Sequence, residues 1–413
     1  MKLWLRLALR NALRNRRRTA LTVGTVLIAT TLLTVALAWM QGLFGSWVRQ
    51  HTAVAGHVRV AHEEFVAREE LHPTHENIPD VAPLLATLAP LPGVVAAEPR
   101  ITAGAVVTVG EEIGEETTLV VGARASYYRD RLTDAGQVAR GRWLEAATGE
   151  VVLGLRLADR VGATLGDEVL LLSQTQYGSL SPVAVQVVGI VSGDLSLEQQ
   201  AFVTLEEMEW LVDLEGGALE VLVYAESEQR RHVAPVAAAV AEHVAGRGLV
   251  AEAWHEREPW ITMLAMINGM QDFVRWLIVF VAALAIFNTM TMAVMERSAE
   301  IGVLRAMGLS RPAALGLFGA ESLFIGAAGG IGGAAVGSGI SLLLTRYGLT
   351  FSEDMMDRLG EAVPLQSTVY ADLTPDIVVT AVVLGLTMAA LGAFLPALRA
   401  ASIPPVVAMK ARR

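Results

Sequence analysis

MERSAEIGVLRAMG, residues 295–308, lies between two long apolar runs, Phe273–Met295 and Ala313–Leu344. A short charged stretch between two membrane-length runs predicts a helix with one face toward its own spans and another toward a partner. Ile301 and Leu304 are three residues apart, and Gly308 follows four later, which places them on one side. Glu296, Arg297, Glu300 and Arg305 charge the remainder. Gly308 suits the stop, because glycine enters the left-handed region without steric cost. Ser310 then reads as the N-cap of the next helix, with Arg311 and Pro312 opening it.

Composition agrees with a membrane protein that carries a sizeable aqueous domain. Of 413 residues 53% are hydrophobic, and mean hydropathy is +0.46. The absence of cysteine excludes disulfides and thiolate chemistry. Charge is unevenly placed. Residues 41–269 hold 32 acidic and 15 basic side chains, a net of −17, and the remainder carries +7. The acidic balance argues against nucleic acid as a partner, which needs a basic surface. The two lysines, Lys2 and Lys410, do not follow glycine, so the P-loop pattern is missing. ATP-driven work is then expected from another polypeptide.

Residues 1–18 contain Lys2, Arg6, Arg10, Arg14, Arg16, Arg17 and Arg18 and no acid, and read as a basic amphipathic helix on the inner leaflet. Leu21–Met40 follows without a charge, long enough to span, and the domain reading places the first span at 19–44. The run exceeds the ~7–15 apolar residues of a signal peptide, so an uncleaved span with a cytoplasmic N-terminus is expected. Trp39 and Trp47 fit an outer aromatic belt.

Residues 45–270 read as an external α+β domain. Its strand candidates are Gly56–Val60, Ile101–Val109, Thr118–Gly122, Val151–Gly154, Glu168–Ser173, Val183–Val191 and Leu219–Tyr224. Its helix candidates are Pro79–Leu88, Leu155–Val161, Leu205–Leu214 and Val233–Val244, and the mixture allows two subdomains. Five histidines between His51 and His75 lie among Glu63, Glu64, Glu69, Glu70 and Glu76. They read as a solvated acidic loop, because Pro73 opposes the helix on which His72 and His75 could form a metal pair. No catalytic residue and no metal site is expected.

Residues 271–413 read as the membrane domain, with spans two to four, the segment 296–308 and a cytoplasmic C-terminus. Asn288 lies inside the second span and is expected to bond a neighbouring helix. Gly329, Gly333 and Gly337 in the third run make small-x-x-x-small steps suited to close packing. Glu321, the one acid deep in an apolar run, reads as structural, near the inner interface or paired with an arginine. The fourth span is about Ile377–Leu395. The fold class is therefore an α-helical membrane protein with four transmembrane helices and a large external α+β domain inserted between the first and second spans.

The pattern E-R-x-x-E-I-G-x-L-R-A-x-G at Glu296–Gly308 resembles the coupling segment of the FtsX-like permease family. Arg10–Thr22 resembles that family's N-terminal motif, and Leu395-Pro396-Ala397-x-Arg399-Ala400-Ala401-x-x-Pro404 its closing motif. Gly154-x-x-Leu157-Ala158 with Gly166-Asp167-x-Val169 is similar to its external domains, and Gly56-His57-Val58-x-Val60 to the lipoprotein-releasing branch. The resemblance implies a non-catalytic ABC permease in the bacterial inner membrane. Its partners would be an ABC ATPase carrying ATP and magnesium, a second identical or related permease, membrane lipid and a periplasmic acceptor or adaptor. The implied ATPase contact is Glu296, Arg297, Glu300, Ile301, Gly302, Leu304, Arg305, Ala306 and Gly308. The implied substrate contact is the outer end of the first span, at Trp39, Leu43, Phe44 and Trp47. The implied work is mechanical release of lipoproteins, with export of macrolides, peptides or other amphiphiles, or activation of an external peptidoglycan hydrolase, as alternatives.

Overall fold

The computed structural model describes residues 16–69, 73–110, 113–132, 137–145, 148–193, 195–258, 260–296, 303, 305–308, 310–350 and 368–402. The chain divides into two compact units, with boundaries at Gly45/Ser46 and Leu264/Ala265.

Among the described residues, four helices are long and apolar enough to cross a membrane. They are α1 (Arg16–Ala55), α9 (Trp260–Glu296), α10 (Arg311–Tyr347) and α11 (Pro375–Ser402), numbered with the short helices given below. Helix α1 is 40 residues long, about 60 Å at 1.5 Å per residue. It continues past the expected end of the first span, because Gly45-Ser-Trp-Val contains no proline to stop it. Gly56 ends it, at φ +71, and a Cβ there would lie 3.0 Å from the Leu222 side chain.

Within the membrane unit, glycines decide which helices touch. A Cβ on Gly329, Gly333 or Gly337 would fall 2.6 Å from Val26 Cβ, 2.4 Å from Leu27 O and 2.7 Å from Thr34 Cβ respectively. That stripe of α10 is therefore packed on α1, and Thr31 Oγ1 donates to Gly333 O (3.1 Å). The neighbouring face of α10 meets α11, where a Gly385 Cβ would lie 2.8 Å from Gly330 Cα. Apolar side chains complete the unit, with Val26, Leu33, Ile286, Ile325 and Met388 in one cluster. Asn288 differs from expectation. It is exposed, because Ala282, Ile286 and Met290 take the inward face of α9.

The inserted domain contains β1 (Val58–His62), α2 (Glu63–Ala67), α3 (Ala82–Leu88), β2 (Val94–Val109) and β3 (Ile113–Ala123). A one-turn helix α4 (Ala125–Tyr127) and β4 (Gln137–Gly141) follow, then β5 (Glu150–Gly154), α5 (Leu155–Val161), β6 (Glu168–Gln174) and β7 (Leu180–Ser192). The domain closes with α6 (Leu195–Glu198), β8 (Ala201–Thr204), α7 (Leu205–Val212), β9 (Glu220–Ala225), α8 (Arg230–Val244) and β10 (Leu249–Ala253). Its sheet runs β10-β1-β9-β2-β3-β8-β5-β7-β4, and β6 joins β2 to β7. Strands β2-β3-β8-β5-β7-β6 thus close into a ring, and β10-β1-β9 extend from the first half of β2. Sequence alternation allowed two subdomains; the two lobes share β2 and lie in one compact unit.

Period-two burial explains the strands. Ile101, Ala103, Ala105 and Val107 of β2 point into the core, as do Val185 and Val187 of β7. Strand β9 is buried on both faces, with Val221 and Val223 toward one cluster and Leu222 and Tyr224 toward another. Helix α8 covers one face with Val233, Val236, Val240 and Val244 at helical spacing. Strands β4, β8 and β10 and helix α2 were not foreseen. They are five residues or fewer, and β4 is largely exposed.

Candidate functional site

Of the expected ATPase-contacting residues, Arg297, Glu300, Ile301, Gly302 and Leu304 lie outside the described residues. Glu296 ends α9 and is exposed, Arg305 is half-buried, and Ala306 and Gly308 are exposed. Val303 and Met307 are also exposed, so the described part of this segment offers apolar surface. Gly308 has φ +102, and Ser310 caps α10 by accepting from the Ala313 backbone N–H. Beyond it, Phe318, Val294 and Ala397 join the adjacent ends of α10, α9 and α11. Glu321, one turn from Phe318, is buried beside Ser322.

At the other end of α1, Leu43 and Phe44 are buried, and Trp39 and Trp47 are half-buried. The segment before α11 crosses here. Asp372 N–H donates to Ala38 O (2.9 Å), and Tyr370 O occupies the place of a Gly42 side chain. Closer to the middle of α1, a groove of about 440 Å³ opens between α1 and α9. Ile28, Leu32, Leu277 and Val281 line it, and its surface is almost wholly apolar.

The inserted domain holds a site that sequence reasoning missed. Residues 51–67 are not a solvated loop; they form the end of α1, β1 and α2, and the loop expected there is confined to turns at 73–76 among the described residues. Strand register then builds a row of alternating charge. Glu252 of β10 lies opposite Arg59 of β1, and Glu220 of β9 lies opposite Arg100 of β2. Arg59, fully buried, donates to Glu252 (2.7 Å), Glu220 (3.2 Å) and Glu69 (2.5 Å). Arg100 grips Glu220 through Nε (3.0 Å) and Nη2 (2.7 Å). Arg257 approaches Glu69 at 3.6 Å. Three arginines thus face three glutamates. Burial alone would raise the Glu220 pKa, but Arg100, Arg59 and Arg257 outweigh it and hold the carboxyl down to about 2. The signal in the sequence was a charge inside an apolar strand, as in Val58-Arg59-Val60 and Glu220-Val-Leu-Val.

His51, His57 and His62 are built into structure, His75 is exposed, and His72 lies outside the described residues. His62 pairs with Glu76 (3.2 Å), and His51 lies against Trp260 with ring centroids 4.4 Å apart. Among the described residues, no three of His, Cys, Asp or Glu converge as metal ligands. His57 Nδ1 accepts the Ala225 backbone N–H (3.0 Å). Burial lowers its pKa; Glu228 opposes this and Arg131 adds to it, leaving about 4. The fold therefore keeps His57 neutral where the unfolded chain, titrating near 6.5, binds a proton. Its stabilising contribution is complete above about pH 6.5 and falls by about 1.4 kcal/mol per pH unit down to about pH 4. Urea unfolding of the detergent-solubilised chain at pH 7 and pH 5 is expected to show that loss. A His57→Gln variant with the same pH slope would assign it elsewhere.

Residues 19–243 match the MacB-like periplasmic core domain, and residues 273–405 match the FtsX-like permease C-terminal region. The chain is similar to the lipoprotein-releasing system transmembrane protein LolC of Xylella fastidiosa, 27% identical over 272 residues, 63% of this chain and 64% of LolC. It is also similar to the ABC transporter permease YtrF of Bacillus subtilis, 43% identical over 72 residues, 17% of this chain and 16% of YtrF. The chain therefore spans less than two thirds of the length of these relatives. Among solved structures, the periplasmic region of MacB from Actinobacillus actinomycetemcomitans aligns with TM-score 0.37 and 15% identity, over 52% of this chain and 94% of that one. The chain belongs to the FtsX-like permease family, with a MacB-like periplasmic core domain inserted between its first and second membrane helices.

Proposed function

We propose that this chain is the permease subunit of an ABC transporter that works by mechanical transmission and releases lipoproteins from the outer leaflet of the bacterial inner membrane. The observation that carries the mechanism is helix α1, unbroken from Arg16 to Ala55, because a helix about 60 Å long can deliver a displacement at one end to the other. Both termini and the segment 296–308 face the cytoplasm, consistent with the +7 charge outside residues 41–269. There the segment takes the push of a separate ATPase that binds ATP and magnesium. The described parts of the spans carry little charge, which favours an amphiphilic cargo over an ion. The apolar groove at Ile28 and Leu32 and the exposed face of α9 bearing Asn288 suit a second permease, with an acyl chain as the transient occupant. The similarity to LolC supports lipoproteins as the cargo.

The MacB-like core domain favours a second reading, export of a macrolide, peptide or other amphiphile. Photocrosslinkers at Leu32 and Leu43, in cells that co-express the cognate ATPase, separate the two. ATP-sensitive adducts to acylated protein are expected. Adducts to a small amphiphile would move the chain to the export reading, and adducts to a peptidoglycan hydrolase would make it a transmembrane activator.

A further inference from the structure

An α-helix leaves its last four carbonyls without partners inside the helix. At the end of α1 two of them are held by side chains from three separate elements of the inserted domain. Tyr224 of β9 donates to Ala53 O (2.9 Å). Tyr127 of α4 (2.6 Å) and Arg100 of β2 (2.8 Å) both donate to Val54 O. The Arg100 guanidinium also sits where the helix dipole is negative. Arg100 is itself the end of the charge row that runs through Glu220 and Arg59 to Glu252 on β10.

Strand β10 is the strand from which the chain leaves the domain toward α9. Trp254, directly after it, donates its backbone N–H to His57 O (3.0 Å), two residues past the end of α1. The ring of Trp260, which opens α9, contacts both Trp254 and His51. The points where the chain enters and leaves the domain are thus fastened to one another and to four adjacent strands.

We propose that this arrangement is a mechanical joint: the hydroxyls of Tyr127 and Tyr224 and the row Arg100–Glu220–Arg59–Glu252 lock the last turn of α1 and the root of α9 to one sheet, so that these two helix ends and the sheet move as one body. The inference rests on the mechanical reading of the function. Stability alone does not account for the row. Buried ion pairs cost desolvation and are often replaceable by apolar side chains at no loss. What apolar side chains cannot do is bond the carbonyls of a helix end, and here the row terminates on one. Tyr127, Tyr224 and Arg100 are positioning residues in this scheme.

Because the chain lacks cysteine, single cysteines at exposed Arg49 on α1 and Glu206 on α7 label cleanly. Spin-label distances are measured in the full complex with the cognate ATPase, with and without ATP. The wild-type distribution is expected to be narrow and unchanged by ATP. Tyr127→Phe with Tyr224→Phe keeps the rings and all charges, and is expected to broaden the distribution about twofold and make it ATP-sensitive. Arg100→Met with Glu220→Met, which removes the pair together, is expected to do the same. Release of cargo per ATP hydrolysed falls in both variants, while the tyrosine variant stays folded with only the modest loss in thermal stability that two missing hydroxyl bonds cause. A broad wild-type distribution, equal widths in all three proteins, or unchanged release per ATP in the broadened variants would overturn the joint. A wild-type complex that releases nothing on ATP would instead overturn the proposed function, while the distance widths still decide the joint.

Discussion

A chain carrying Glu300→Arg and Gly302→Arg is expected to fold normally and to lose substrate-stimulated ATP hydrolysis in its complex by at least about tenfold, with transport lost in parallel. The two residues lie between the end of α9 at Glu296 and the start of α10 at Arg311. The described residues around them, Val303, Ala306 and Met307, are exposed, and among the described residues nothing lies within 4 Å of a Cβ on Gly308. The exposure of these described neighbours predicts little effect on the chain's own stability. A charge reversal and a bulky cation in a docking segment leave a partner's groups unpaired on association, which typically costs 2–5 kcal/mol. The measurement is ATP turnover by the reconstituted complex with and without cargo, with circular dichroism as the check on folding. Stimulated turnover at the wild-type level would overturn the assignment of this segment as the ATPase contact.

Replacing Gly333 by alanine is expected to destabilise the membrane unit by about 2–3 kcal/mol, and replacement by leucine by more. A Cβ at this position would stand 2.4 Å from Leu27 O and 2.8 Å from Thr30 Cβ, and a backbone oxygen cannot rotate away. Helices α1 and α10 must separate, which also lengthens the Thr31–Gly333 hydrogen bond. In a bilayer no hydrophobic force holds helices together, so close van der Waals contact at small residues carries much of the association. Gly339→Ala is the control. Among the described residues nothing lies within 4 Å of a Cβ there, and alanine's better helix propensity makes it neutral or stabilising by up to about 1 kcal/mol. Unfolding of the detergent-solubilised chain by SDS titration compares the two. Equal effects at Gly333 and Gly339 would show that α10 does not approach α1 as closely as described.

The membrane helices were the most legible part of the chain, because a bilayer imposes a local rule. A span needs about 20 apolar residues wherever it occurs, and composition alone reveals it. The Ser310 cap and the Gly308 stop were equally local, each decided by one residue's backbone preference. Strands β2 and β7 were legible through period-two alternation, and α5 through its turn signals. Strands β4, β8 and β10 were not, since four or five residues give periodicity too little to act on.

Sequence by itself determined the four spans, the inserted α+β domain, the charged segment 296–308 and the glycine stripe of the third span. Each depends on residues that are neighbours in the chain. Tertiary structure alone decided which helix fills that stripe, that Asn288 faces outward, and that α1 runs on to Ala55. It alone also brought Arg59, Arg100, Glu220 and Glu252 into one row, because strand pairing joins residues up to 193 positions apart. Read along the chain, each of these is a charge expected in water. Register across four strands removes the water and leaves each arginine facing the glutamates that neutralise it.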